Sequence, residues 1–362
     1  MSDGMSFVVC CHNSARRLAE TLGHLARQRN PALADWEVVL VDNASTDGTA
    51  ETARRVWGIG PAPLRIVEEP RAGLSRARLA GMGAAQYDAL TLVDDDNWLS
   101  PEWLAVSLEA LRTHSSAGAI GGQSFAVCEG LPPAWFPGVA SSYAIGEQAD
   151  EVADVTKSRG YLWGAGLVLR REAWRDLFAA GFEFLLDDRT GTRLRSGGDT
   201  EICHGLHLRG WGLRYDSALS FRHFLPKERL LWEYCRKLYR SFGEASVVLD
   251  TYLLALRERE GQDVAEVEYH WSTRMPEARQ RLFREIKYQW KLRRQRAGQA
   301  PRRTPRALAE ALVRSDEGSP YELSLEYALG RFGGLMRLRR RLTAITAKIR
   351  ALGDSASVSP RP

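Results

Sequence analysis

The stretch Ala89–Asn97, with the sequence ALTLVDDDN, decides how the first part of this chain is interpreted. An apolar run that ends in three successive carboxylates, Asp94, Asp95 and Asp96, is typical of a buried strand whose polar end reaches the edge of a sheet. Because alternate residues of an extended chain face the same way, Asp94 and Asp96 can address one ligand. Two hard oxygen donors beside a phosphate suit Mg²⁺ or Mn²⁺. A solvated turn that caps the following helix is the alternative interpretation.

Three other apolar runs precede this stretch, and helical patterns separate them. The runs are Phe7–Cys11, Trp36–Val41 and Leu64–Val67. Between the first two runs, the leucines within 18–25 recur with the spacing of one helix face. Strands that alternate with helices indicate βαβ units, so we expect an α/β domain with a mainly parallel sheet.

Composition places the chain among folded globular proteins of about two domains, since it has 362 residues of which 44% are hydrophobic. No apolar run approaches the roughly 20 residues of a membrane-spanning helix, and the N-terminus lacks the pattern of a signal peptide. The five cysteines are odd in number and have no CxxC spacing, which argues against disulfides and structural zinc. These features predict a cytoplasmic protein.

The charge and residue patterns divide the chain into four parts. We expect a sheet domain over 1–225, with a nucleotide-binding half at about 1–120 and an acceptor half at about 121–225. The looser pattern from 123 to about 160 predicts long loops beside the site. A basic helical region should follow over 226–350, with breaks at 298–305 and 318–320, and a disordered tail over 351–362.

The basic region concentrates the positive charge of the chain. Residues 281–350 hold 18 Lys and Arg against 6 Asp and Glu, although the whole chain carries only +5. The segment Leu335–Ile349 could form an amphipathic surface helix that touches the inner face of a membrane, which would suit a lipid-linked acceptor. The alternatives are a helical partner, a dimer interface, or a solvated face rich in arginine. Nucleic acid is not expected, since no reader motif accompanies the charge.

Four segments follow one another in a recognisable order: Phe7–Asn13, Val41–Thr49, Arg71–Arg78 and Val93–Asn97. Taken alone, Val41–Thr49 is equally typical of a turn followed by a helix cap. Together the segments resemble the nucleotide-sugar domain of the family 2 glycosyltransferases, which have the GT-A fold. The resemblance covers residues 6 to about 225. It implies a metal-dependent, inverting enzyme that uses a nucleotide-diphosphate sugar, a UDP-sugar first among them.

The resemblance also implies roles for particular residues. His12 stands where the family has an aromatic residue, and Asp42 would hydrogen-bond to the base. Arg78 matches an arginine that reaches the nucleotide, and Gly164 lies in a small-residue strand that lets the sugar approach the backbone. The implied nucleotide-sugar site consists of Cys11, His12, Asn13, Asp42, Arg78, Asp94, Asp95, Gly164 and Ala165. The implied metal ligands, for Mn²⁺ or Mg²⁺, are Asp96 and His223.

Asp199 resembles the family's general base, and a helix that begins there could hold its carboxylate in place. Glu201 is the reserve candidate. Asp199 could instead only cap that helix, and His223 could be structural. Trp135, Trp163 and Trp211 could stack against sugar rings, or lie in the core.

The implied function is transfer of a sugar to an acceptor hydroxyl, on a saccharide or a lipid-linked carrier, in polysaccharide or glycoconjugate synthesis. One rival is a catalytically inert scaffold that binds a partner through its basic helices. It is disfavoured because both the acidic trio and Asp199 remain. A nucleotidyltransferase is the second rival, disfavoured because no lysine accompanies a glycine-rich phosphate loop near the N-terminus. The sugar, the linkage and the oligomeric state have no signal in the sequence.

Overall fold

The computed structural model describes residues 4–30, 32–186, 194–296 and 316–354. Its strands are β1 Gly4–Cys11, β2 Asp35–Asp42, β3 Leu64–Glu68, β4 Ala89–Asp94, β5 Asn97–Leu99, β6 Ala117–Cys128, β7 Ala153–Asp154, β8 Leu167–Arg170 and β9 Gly212–Leu225. Its helices are α1 Leu18–Ala26, α2 Thr49–Trp57, α3 Leu74–Ala84, α4 Trp103–Thr113, α5 Arg171–Ala179, α6 Gly198–Leu208, α7 Trp232–Arg259, α8 Glu266–Tyr269 and α9 Trp271–Arg296. Two further helices, Pro320–Leu338 and Leu342–Asp354, are called the Pro320 helix and the Leu342 helix. Short 3₁₀ helices lie at Phe136–Tyr143 and Lys227–Leu230.

The strands form one sheet in the order β3-β2-β1-β4-β8-β6-β9-β5, with β7 beside β9. The first four strands in this order are parallel, as the βαβ pattern predicts. Beyond them, β8 runs antiparallel to both of its neighbours, whereas β6 and β9 are parallel to each other. The predicted α/β class, with a helical region after the sheet domain, is confirmed.

The central strand β1 explains why the first runs are almost wholly apolar. All eight of its residues are buried. Phe7 and Val9 belong to the core that holds α1 and α4, whereas Val8 and Cys10 belong to the core on the opposite face. A parallel strand covered by helices on both faces needs apolar side chains at every position.

The expectation of long loops from 123 to about 160 is wrong at its start, because β6 continues to Cys128. The glycines of this strand resemble turn signals in the sequence, but they serve close packing. A Cβ on Gly122 would lie 2.0 Å from the carbonyl oxygen of Leu219 in β9. Glycine in a strand often marks such a close backbone approach. The strand β9 itself, 14 residues long, was not predicted.

The predicted amphipathic surface helix over Leu335–Ile349 is also wrong. The segment spans the end of the Pro320 helix and most of the Leu342 helix. Its apolar residues Leu335, Leu342, Ile345 and Ile349 are buried in the core that also contains α6 and α7 residues. Its apolar face is therefore covered within the chain. The Leu342 helix continues to Asp354, into the predicted tail.

Two other expectations fall outside the described residues: the break at 298–305 and most of the tail, from residue 355 on. Within the described ranges, no helix combines the length and the apolar character that crossing a bilayer requires.

Two glycines let α7 and the Pro320 helix touch backbone to backbone. A Cβ on Gly330 would lie 2.0 Å from the carbonyl oxygen of Arg240, and one on Gly243 would lie 2.0 Å from that of Tyr327. By contrast, a Cβ on Gly333 would meet nothing within 4 Å.

We therefore expect Gly330→Ala to force the two helices apart and to lower the free energy of unfolding by about 2 kcal/mol or more. Gly333→Ala is the matched control, and it should leave stability unchanged or raise it slightly, because alanine favours the helix. Denaturant unfolding measures both effects. Equal stability of the two variants would contradict the close packing of the helices.

His204 on α6 is buried, with its ring centroid 6.0 Å from that of Tyr252 on α7. Burial lowers the pKa of His204 from 6.5 to about 4. The folded protein then binds fewer protons than the unfolded chain between these values. The free energy of unfolding is therefore unaffected by His204 above about pH 6.5, and it falls as the pH drops toward 4.

This shift in the pKa of His204 predicts that the free energy of unfolding falls by at most about 3 kcal/mol across that pH interval. His204→Gln should flatten the dependence of unfolding free energy on pH, whereas His270→Gln, at an exposed histidine, should leave it unchanged. Urea titrations at a series of pH values provide the measurement. An unaltered slope in His204→Gln would refute the assignment.

Candidate active site

The parallel strands bring the predicted residues to one edge of the sheet. Cys10 pairs in register with Asp94, and Cys11 with Asp42, so β1, β2 and β4 end side by side. A cavity of about 200 Å³ opens at this edge. It is lined by Cys10, Cys11, His12, Arg17, Asn43, Ala72, Gly73, Leu74, Ala77, Asp94, Asp95, Asp96 and Arg229.

Two of the residues expected to meet the nucleotide, Asn13 and Asp42, lie beside this cavity and are not among its lining residues. The side-chain oxygen of Asn13 accepts a hydrogen bond from the Thr46 N–H at 2.8 Å. Asp42 Oδ1 accepts one from the Ser45 N–H at 3.2 Å. Both side chains thus hold the loop after β2.

Asn43 lines the cavity and was missed by the sequence analysis. Its amide nitrogen donates to the carbonyl oxygens of Glu69 at 3.0 Å and Arg71 at 2.8 Å. Its side-chain oxygen accepts from the Gly73 N–H at 2.7 Å. This buried amide therefore positions the glycine loop that begins α3. The only signal was its place next to Asp42 at the end of a strand.

Asp95 points into the protein, toward the segment that begins α1. Its carboxylate accepts a hydrogen bond from the Ser14 hydroxyl and forms an ion pair with Arg17 at 2.8 Å. Burial and the neighbouring charge of Asp96 raise the pKa of Asp95, and Arg17 opposes this rise. The structure thus gives Asp95 a role in supporting the strand end.

Asp96 points the other way, toward β9. Asn97 pairs with His223 in the ladder between β5 and β9, so the imidazole lies next to this carboxylate. His223 Nε2 is 3.4 Å from Asp96 Oδ1, and Arg229 Nη2 is 2.9 Å from Asp96 Oδ2. All three side chains are largely buried, Asp96 most of all. Arg229 was not predicted, since nothing local marks it.

The donor set at Asp96 suits a divalent cation that is shared with a substrate. In the described part of the chain, no three His, Cys, Asp or Glu side chains converge as a metal site. A carboxylate and an imidazole do converge, at Asp96 and His223, and Asp94 lines the adjoining cavities. Mg²⁺ and Mn²⁺ commonly use few protein ligands and complete their shell with water and phosphate oxygens.

A second cavity, of about 640 Å³, adjoins the first and shares Leu74, Asp94 and Arg229 with it. Of the predicted residues, it is also lined by Arg78, Gly164, Ala165, Asp199 and His223. The structure therefore brings the predicted base and the predicted metal ligands to one continuous space.

Backbone contacts fix Asp199 at the start of α6. Its Oδ2 accepts a hydrogen bond from the Gly164 N–H at 2.9 Å, and its Oδ1 accepts one from the Thr200 N–H at 2.8 Å. A Cβ on Gly164 would lie 2.6 Å from Arg78 Nη2 and 3.1 Å from the Cβ of Asp199. Glycine is needed here because Arg78 and Asp199 press against its backbone.

Glu201 occupies a different environment. It is fully buried, and its two carboxylate oxygens accept from the N–H groups of Leu185 and Leu186 at 3.0 and 2.9 Å. It does not line either cavity. Its contacts make Glu201 a structural anchor, so the structure does not support it as the reserve base.

The predicted tryptophan platform is reduced to Trp163, which lines the larger cavity. Trp211 is buried in the core and donates its Nε1–H to Asp176. Trp135 packs against Trp232 and lines neither cavity. Two of the three tryptophans therefore pack against other residues of the protein, as a large apolar ring with one hydrogen-bond donor commonly does.

The far wall of the larger cavity comes from the helical region. Helix α7 contributes Tyr234, Leu238, Phe242, Leu249 and Leu253, at spacings that place them along one face. The Pro320 helix adds Tyr327. This wall is mostly apolar and aromatic, whereas the opposite wall carries Asp199 and Arg78.

Comparison with known families gives a match over the first half of the sheet domain and beyond. The model of the family described as "Glycosyl transferase family 2" matches residues 6–178.

Curated relatives share modest identity with the chain. The succinoglycan biosynthesis protein ExoM of Rhizobium meliloti is 27% identical over 230 residues, which cover 61% of this chain and 68% of ExoM. The chondroitin synthase of Escherichia coli is 28% identical over 125 residues, 34% of this chain. That alignment spans only 18% of the synthase. The crystal structure of S. aureus TarS 1–349 in complex with UDP-GlcNAc matches at 18% identity and a TM-score of 0.47, covering 71% of this chain and 72% of that one.

Proposed function

We propose that this protein transfers a sugar from a nucleotide-diphosphate sugar to an acceptor hydroxyl, in polysaccharide or glycoconjugate synthesis, because residues 6–178 match the model of glycosyl transferase family 2. One observation carries the proposal: two adjoining cavities share Asp94 and Arg229 at their junction. A reaction that joins two substrates needs two such spaces with the reacting bond between them. ExoM, one of the relatives, is named for succinoglycan biosynthesis.

The smaller cavity would hold the nucleotide. Cys11 and His12 line this cavity where the nucleotide base would lie, and His12 Nδ1 is 2.7 Å from the carbonyl oxygen of Asn43. An imidazole held in place can stack against a base. We take a UDP-sugar as the first donor to test. The diphosphate would then point toward Asp94, Asp96 and Arg229.

Asp96 and His223 would hold Mn²⁺ or Mg²⁺ together with the diphosphate. When bound, such a cation supplies electrostatic stabilisation of the negative charge on the departing nucleoside diphosphate. Asp96 lines the smaller cavity, and Asp94 lies at the junction of the two spaces. Arg78, packed on Gly164, adds a fixed positive charge to the larger cavity.

Asp199 would take the proton from the acceptor hydroxyl as that oxygen attacks the anomeric carbon. Its two backbone hydrogen bonds hold the carboxylate still, and Oδ2, which accepts only from Gly164, keeps a second lone pair for the acceptor, whereas Oδ1 also accepts from the Thr200 hydroxyl at 3.4 Å. One displacement with the base opposite the leaving group inverts the anomeric centre.

The acceptor would lie between Asp199 and the wall formed by α7. Aromatic and aliphatic side chains such as Tyr234 and Phe242 suit the apolar faces of sugar rings. The same wall suits the first part of a lipid carrier.

The rival functions predict different products. A panel of nucleotide sugars incubated with Mn²⁺ and candidate acceptors should release a nucleoside diphosphate. Release of pyrophosphate would favour a nucleotidyltransferase. Silence with every donor would favour an inert scaffold and would overturn the proposal.

Asp199→Asn should lower kcat for transfer by about 10²-fold or more, because the amide cannot accept the acceptor's proton. UDP affinity should not change, since Asp199 does not line the smaller cavity. Steady-state kinetics and calorimetry measure these two effects. Asp263→Asn, at an exposed aspartate, is the control. A normal kcat in Asp199→Asn would remove this residue from proton transfer.

Asp96→Asn should reduce the gain in UDP affinity that Mn²⁺ provides by at least about tenfold, since even residues that only support a metal ligand contribute 10- to 100-fold. Affinity in EDTA should not fall, because Asp96→Asn leaves Arg229 available to contact the diphosphate. Calorimetric titration with UDP, with and without Mn²⁺, tests this. An undiminished metal effect would exclude Asp96 as a ligand.

A further inference from the structure

We propose that Arg229 is an internal counterion that occupies Asp96 in the free protein and transfers to the donor's diphosphate when a divalent cation binds. This inference rests on the proposed function, because it assumes a diphosphate-bearing donor. It assigns a role to a residue that lies outside the stretch matched by the family.

The contacts of Arg229 place one guanidinium against both predicted metal ligands. Nη2 lies 2.9 Å from Asp96 Oδ2, and Nη1 lies 3.4 Å from His223 Nε2. The side chains of Arg229 and Asp96 are only 15% and 2% exposed. The site that would bind a cation therefore already holds a positive group.

Charge balance explains why this group is present. A buried carboxylate without a partner is strongly destabilising, and Asp96 lies directly beside the buried Asp95. Arg229 neutralises Asp96 when no metal is bound. A divalent cation on the same carboxylate would repel the guanidinium, so the two cations cannot both bind Asp96 tightly.

Arg229 also has a place to go. It lies in the short 3₁₀ helix Lys227–Leu230 and lines both cavities at their junction. A guanidinium presents two parallel donors that match phosphate oxygens. A small change in the side chain would move its charge from Asp96 to a diphosphate in the adjoining space.

Two consequences follow for binding. The free protein should bind Mn²⁺ weakly, because Arg229 competes for Asp96. UDP should raise Mn²⁺ affinity, and Mn²⁺ should raise UDP affinity by the same factor, since the coupling of two ligands is reciprocal.

The test is Mn²⁺ binding to the free protein, followed by electron paramagnetic resonance or calorimetry with MnCl₂ alone. Arg229→Gln should raise Mn²⁺ affinity by about fivefold or more, the lower end of typical coupling. The same change should weaken UDP binding at saturating Mn²⁺. Lys227→Gln, an exposed residue of the same 3₁₀ helix, should behave as the wild type. Unchanged or weaker Mn²⁺ binding in Arg229→Gln would overturn the proposal.

If Arg229→Gln does not fold, Arg229→Lys provides a second measurement. Lysine keeps a cation beside Asp96 but cannot make two parallel bonds to a phosphate. Weak Mn²⁺ binding should therefore persist, while UDP affinity at saturating Mn²⁺ falls. Equal UDP affinity in Arg229→Lys and the wild type would overturn the transfer.

The outcomes for Arg229 can be separated from the outcome for the proposed function. Mn²⁺ binding without nucleotide does not depend on turnover. Transfer with an unaltered Mn²⁺ affinity in Arg229→Gln would retain the glycosyltransferase and reject the counterion. A raised Mn²⁺ affinity with no transfer from any donor would support the competition for Asp96 and reject the proposed function.

Discussion

The active-site end of this fold depends on the neutralisation of two adjacent buried carboxylates. Asp95 and Asp96 directly follow strand β4, and each buried carboxylate would be destabilising without a partner. Asp95 is paired with Arg17, just before α1, and Asp96 with Arg229, just after β9. Arginines from two distant parts of the chain therefore form ion pairs at the end of one strand. The same ion pairs stabilise this strand end and hold the side chains that line the site.

The side chains of Asp95 and Asp96 point in different directions, and they have different roles. Asp95 is held by Ser14 and Arg17 on the side of α1, and its pKa is raised by burial and by the charge of Asp96. Asp96 faces His223 and the cavities. The two residues form the turn between β4 and β5, and their different ion-pair partners, Arg17 and Arg229, hold the two carboxylates on different sides of that turn.

Much of the sheet could be predicted, because strands buried on both faces leave continuous apolar runs in the sequence. The resemblance to family 2 glycosyltransferases is likewise confirmed. Local patterns failed where tertiary contacts decide: the glycines that let β6 approach β9, and the apolar face of Leu335–Ile349, which the core covers. Arg17 and Arg229 had no local signal in the sequence, since the carboxylate with which each forms an ion pair is more than 70 positions away. Asn43 was overlooked because only its three hydrogen bonds distinguish it from an ordinary turn residue.

The family match ends at residue 178, before several of the groups on which the proposed chemistry depends. Asp199, His223 and Arg229 all follow that point, as does the wall of the larger cavity from α7. Apart from Arg229, the matched part supplies the whole lining of the smaller cavity, including Cys11, His12 and the acidic trio. The larger cavity combines residues of the matched part, such as Arg78 and Gly164, with the α7 wall that follows it. Under the proposed function, the choice of acceptor should therefore follow the side chains of α7 and vary independently of the nucleotide pocket.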